Sequence, residues 1–201
     1  MRTVALMAVW CALLCGCASG LDWKRQDFAF ATPDDPPAAS AETNTIALTR
    51  ITISPLFQDR SFTYRTGDHA YEQDPYAGFL VPPERALAEP LRAGLEVFGH
   101  VLEPGSALSP ALVAEVSVNE LYGDFRKPDQ PAGAMQLHLI VYKTDVEGPG
   151  RVVFDKVCSH ETPMPRKTPD ALMAAWDADL REILQQISSD YAKANSHDSG
   201  R

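Results

Sequence analysis

Few residues in this chain are both chemically capable and suitably spaced. The most suggestive group is Cys158-Ser159-His160-Glu161, because a thiol, an imidazole and a carboxylate fall within four positions. On a strand, Cys158 and His160 would share one face. As a metal or thiol–imidazole site the group lacks further ligands within the motif, and it reads more simply as a strand end emerging from a sheet. The other histidines, His69, His100, His138 and His197, stand singly. No G-x-S-x-G elbow, S-x-x-K or H-E-x-x-H occurs, and Gly-rich phosphate loops are missing. The carboxylate pair Asp34-Asp35 reads as loop, and Asp177 with Asp179 as the solvated face of a helix. No catalytic residue, metal ligand or cofactor is expected.

A second pair, Cys15 and Cys17, sits at the end of an apolar run from Val4 to Leu14. The run is long enough for a secretory h-region and too short to span a bilayer. Cysteines one residue apart make poor disulfide partners, because the ring they close is strained. No further metal ligands follow them at suitable spacing. The remaining chemistry is acylation. Leu14-Cys15-Gly16-Cys17 has the order of a bacterial lipobox: an aliphatic residue, two small ones, then the cysteine to be modified. Cys15 is excluded as that residue by bulky Leu14 before it. Cleavage before Cys17 removes Cys11 and Cys15 and leaves Cys17 for lipid attachment, with more than the two anchoring signals stable attachment needs. Ala18, not Asp, follows, and by resemblance to Gram-negative lipoproteins this directs the product to the outer membrane, facing the periplasm.

Removing residues 1–16 of the 201 leaves 185, enough for one domain with a real core. Removing Arg2 takes the net charge from −9 to −10. So acidic a surface argues against nucleic acid and against lying flat on anionic lipid. The one cysteine left beside Cys17 is Cys158, expected to be buried and inert.

The elements follow from periodicity. Phe28 and Phe30 alternate in a short strand, which leaves a tether of about eight residues with a reach of ~28 Å at most. Residues 33–44 are rich in Pro, Ala and acid and read as loop. Residues 45–56 form a strand whose apolar phase shifts between Leu48 and Ile51, implying a bulge near Thr49-Arg50. Phe62 and Tyr64 alternate in another. A helix carries Leu87, Leu91, Leu95 and Phe98 as one stripe and stops at Gly99. Pro90 requires a kink or a helix start just before it. Strands over 109–125, 134–144 and 151–160 follow, the last two joined by a turn at 147–150. A closing helix starts at Thr168-Pro169-Asp170, a cap, an N1 proline and a dipole-complementing acid. Its stripe is Leu172, Trp176, Leu180, Ile183, Ile187 and Tyr191.

The predicted architecture is α+β: a mainly antiparallel sheet with two helices packed on one face. The predicted divisions are a signal peptide at 1–16, a lipidated tether at 17–25, the domain at 26–193 and a disordered tail at 194–201. Residues 64–91 read as one long segment between elements, carrying Tyr71, Tyr76, Phe79 and Leu80. Such a segment suits a functional loop or an aromatic lid folded over the sheet.

Together these pieces resemble the ABC-type transport auxiliary lipoproteins, partners of periplasm-bridging MCE lipid-transport systems. The matching stretches are the lipobox Cys17, "FAF" (28–30), "ITISPL", "FTYR" (62–65), "DPYAGFLVPPERALAEPLRAGL" and "ALMAAWDADLREILQQI". A Trp common in the family before the Pro-Leu helix segment is replaced here by Arg85-Ala86. The resemblance implies a non-enzymatic outer-membrane component that docks on the MCE-domain periplasmic protein of an ABC lipid transporter. Tyr64, Arg65, Tyr76 and Phe79 are its docking candidates, and a homo-oligomer is compatible. An assembly or chaperone lipoprotein for a β-barrel or envelope polymer shares the same anchor and sandwich.

Overall fold

The computed structural model describes residues 24–31, 44–144 and 150–198. Cys17, most of the 33–44 loop and most of the 147–150 turn lie outside them.

The element order is β1 (Gln26–Phe28), β2 (Thr45–Ile53), β3 (Ser61–Arg65), β4 (Tyr71–Phe79), α1 (Pro83–Ala86), α2 (Ala88–Leu95), a 3₁₀ turn (Glu96–Phe98), β5 (His100–Val101), β6 (Leu112–Asp124), β7 (Ala132–Lys143), β8 (Val152–Pro163) and α3 (Pro169–Asp198). One strand organises the sheet. β6 pairs along its full length with β7, and β7 with β8, in long antiparallel ladders. Along its other edge β6 receives β2 over Leu112 to Val118 and then β3 at Gly123 and Asp124, both parallel. The sheet forks there, β2 leading to β5 and β3 to β4 and β1.

The sheet is therefore mixed, and the expectation of a mainly antiparallel one holds only in part. Parallel pairing arises because long connections return β6 to the edge of β2 and β3 in the same direction. Apolar alternation fixes which face a strand buries, not which neighbour it takes.

Both helical segments lie on one face of the sheet, as expected. Leu91 and Leu95 of α2 meet Leu184 and Ile187 of α3 above Val116 and Leu137. Gly94 permits that approach, since a Cβ there would stand 2.3 Å from Leu184 Cδ2. The helix read as continuous is broken at Leu87, and Pro90 falls in the first turn of α2, where its missing N–H costs no hydrogen bond. Gly99, at φ +143°, ends the segment. Thr168 Oγ1 accepts from the Ala171 amide and caps α3, which continues to Asp198. The bulge lies between Leu48 and Arg50.

The larger correction concerns residues 64–91. Tyr71–Phe79 is strand β4, which makes a hairpin with β3 and takes β1 as a parallel partner. Pro75 and a register shift opposite Ser61–Thr63 break the period that would have announced it. Asp74 Oδ1 carries the backbone across the irregularity by accepting from the Tyr76 and Ala77 amides.

Candidate functional site

The aromatic corner is built on β3 and β4. Odd-numbered Ala77 and Phe79 point into the core, alternating with Tyr76 and Gly78. Phe79, a docking candidate from sequence, is 2% exposed and stacks on Trp176 at 5.5 Å, with Phe62 edge-on at 4.9 Å. It is a core residue and presents no ring to a partner. Tyr64 is half-buried: its ring stacks on Phe125 at 4.8 Å and its hydroxyl donates to Asp74 Oδ2 at 2.6 Å. Burial, and then the acidic acceptor, push that phenol far above its ordinary range. Arg65 lies over the rings of Tyr71 and Tyr122, and donates to the Asp68 carbonyl at 3.0 Å. It pins the β3–β4 turn. Tyr76 is 47% exposed. The four candidates are thus not one patch: Tyr76 faces solvent, Tyr64 and Arg65 are half engaged by the fold, and Phe79 is inside.

A polar cleft of about 400 Å³ opens where β6, β7 and β8 end, among Asp124, Arg126, Lys127, Glu161 and Met164. The Arg126 guanidinium is committed to both oxygens of Asp124 at 3.0 Å. That pairing holds the Asp124 carboxyl below its usual range.

The second constellation was misread from sequence. Asp179 is not on a solvated helix face; it is fully buried, between α3 and β8. Its Oδ1 accepts from Thr162 Oγ1 at 2.6 Å and lies 2.9 Å from His160 Nδ1, while Oδ2 has no partner. Burial is the main reason the carboxyl rises to about 6, opposed by the Thr162 and His160 hydrogen bonds. A buried acceptor orients the imidazole as in a general-base pair, but the thiol does not join it. Cys158 is buried under α3, and burial pushes its thiol up, away from nucleophilic thiolate. The signal for Asp179 was available: it sits on the Leu172–Trp176–Ile183 seam, where a helix facing a sheet buries its residues. Asp177, beside it, is half-buried and accepts the Ala31 amide at 3.0 Å.

Among the described residues no group of three or more His, Cys, Asp or Glu could hold a metal ion, and no helix is long and apolar enough to cross a membrane.

No family model and no curated protein matches the chain. Solved structures do match. Protein XCC0632 from Xanthomonas campestris, of family DUF330, is similar at a TM-score of 0.71 with 16% identity, covering 88% of this chain and 99% of that one. An uncharacterised protein reaches 0.55 with 11% identity, covering 85% and 95%. Lipoprotein GNA1162 from Neisseria meningitidis, at 0.40 and 10% identity over 74% and 99%, is too remote for its description to bear on this chain. At these identities the likeness to the first two establishes one thing, a shared fold.

Proposed function

We propose that this chain is a non-catalytic lipoprotein of the outer membrane, facing the periplasm, which serves as the auxiliary component of an ABC/MCE-type intermembrane phospholipid transport system. The observation that carries the reading is where the tether enters the fold. β1 begins at Gln26, nine residues after Cys17, and is hydrogen-bonded into the sheet edge beside β4. A lipid on Cys17 would hold the domain within ~30 Å of the bilayer. The resemblance of the sequence segments supplies the transport system.

Two measurements test it. Intact mass of the exported chain should show Cys17 as N-terminus carrying acyl groups. Affinity purification from detergent-solubilised envelopes should recover an MCE-domain protein with its permease and ATPase. Recovery of barrel-assembly partners without any MCE protein would replace this reading with the assembly or chaperone one.

A further inference from the structure

At the corner where the tether joins the fold, β1 and β4 place residues of three chemistries on one outward face. Tyr76 and Gly78 alternate with buried Ala77 and Phe79 at the end of β4, and exposed Leu80 and Val81 follow it directly. Tyr76 is 47% exposed, Leu80 57% and Val81 37%. At Gly78 the absent side chain leaves room for the Arg25 guanidinium and the Arg60 main chain, while the Arg60 side chain donates from Nε to the Phe79 carbonyl at 2.8 Å. A Cβ on Gly78 would stand 2.3 Å from Arg25 Nη2 and 2.2 Å from the Arg60 carbonyl. Arg25 and Arg60 share one carboxylate, Asp27, at 3.1 and 3.3 Å. The neighbouring Asp59 is turned to Gln73 instead. With exposed Lys24, the corner carries three cations beside two carboxylates, Asp27 and Asp59, a local excess of positive charge in a chain whose net charge is −9.

Aromatic, cationic and aliphatic groups in that order form an interfacial pattern: Tyr at the headgroup level, Arg on phosphates, Leu and Val in the acyl boundary. The position of the chain selects the occupant. Cys17 precedes Lys24 by seven residues, so an acylated Cys17 keeps this face within ~25 Å of a bilayer. We infer that the β1–β4 corner, through Leu80, Val81, Tyr76, Arg25 and Arg60, lies against the phospholipid headgroups of the membrane that holds the anchor. The inference rests on the anchored reading above and adds an orientation to it: the β1–β4 edge faces lipid, and the β7–β8 side faces away.

The test uses the full lipidated chain reconstituted in phosphatidylethanolamine/phosphatidylglycerol vesicles. An environment-sensitive fluorophore is placed on Leu80→Cys, and in separate samples on the exposed control sites Leu108→Cys and Val157→Cys. A nitroxide-bearing lipid should quench the label at 80 several-fold more than at 108 or 157, with a blue-shifted emission only at 80. Arg25→Gln with Arg60→Gln should reduce that quenching, and raised salt should do the same. Equal quenching at the three sites, with acyl mass present on Cys17, overturns the orientation and leaves the anchor standing. Absence of acyl mass overturns both. A label at 80 that is shielded from water yet not quenched by lipid nitroxide means a protein covers the face, which also overturns it.

Discussion

His160 Nδ1 and Asp179 Oδ1 are 2.9 Å apart, while Oδ2 of the same carboxylate, fully buried, has no partner. Half of this carboxylate is satisfied and half is not, so its charged form is disfavoured even beside an imidazole and a hydroxyl.

The carboxyl titrates near 6 in the fold, above its ordinary 3.8. The protonated form therefore favours folding. That contribution is fully present below about pH 4 and is lost as pH rises through 6, by on the order of 3 kcal/mol. Repulsion from the nearby Glu161 carboxylate adds to the shift. Urea unfolding of wild type and Asp179→Asn across pH 4–7.5 should give a stability difference that moves toward the variant by ~2 kcal/mol with rising pH. A difference independent of pH would show that Asp179 is already charged throughout.

Trp176 is the centre of the aromatic core, edge-on to Phe62 at 4.9 Å and stacked on Phe79 at 5.5 Å. Its indole N–H donates to the Tyr122 carbonyl at 3.3 Å. Trp176→Phe should cost about 1–3 kcal/mol, chiefly by orphaning that carbonyl, and Trp176→Ala about 3–5 kcal/mol by adding a cavity. Denaturant midpoints measure both, and a Trp176→Phe variant as stable as wild type would count against the hydrogen bond.

Phe79 and Tyr76 lie three residues apart on opposite faces of β4. Phe79→Ala should destabilise the domain by about 3–5 kcal/mol, whereas Tyr76→Ala should fall within ~0.5 kcal/mol of wild type. Thermal melts of the two variants decide whether the β4 parity is right, since a register slip of one residue would exchange the results.

Gly99→Ala places a Cβ 2.3 Å from the Asn44 carbonyl oxygen at a φ of +143°. That carbonyl also accepts the His100 amide at 2.8 Å, so it cannot withdraw freely. A loss of about 2–4 kcal/mol is expected. Retention of full stability would mean that the turn between the 3₁₀ segment and β5 is more pliable than its geometry indicates.

Local signals in the chain proved readable where a single residue type forces a single outcome. The phase slip around Thr49 marked its bulge, Thr168-Pro169 marked the start of α3, and Gly99 marked a stop. Longer-range facts were not. β4 is strand because β3 and β1 flank it, and Pro75 with Asp74 hides the alternation that would reveal it. Parallel partnership between β2 and β6 leaves no trace in either strand's own pattern. Phe79 looked like a surface anchor because aromatic content alone does not give parity. Asp179 looked solvated because a carboxylate is expected on a polar face, though its place on the helical seam said otherwise.

The forked junction at β6 also sets a schedule. Before residue 112 is made, β2 has only the two residues of β5 to bond with. Its hydrogen-bonding edge then waits for a strand encoded more than fifty positions later, and such distant pairings close slowly. A polypeptide that cannot complete its sheet early leaves that edge of β2 open until β6 is available to close it.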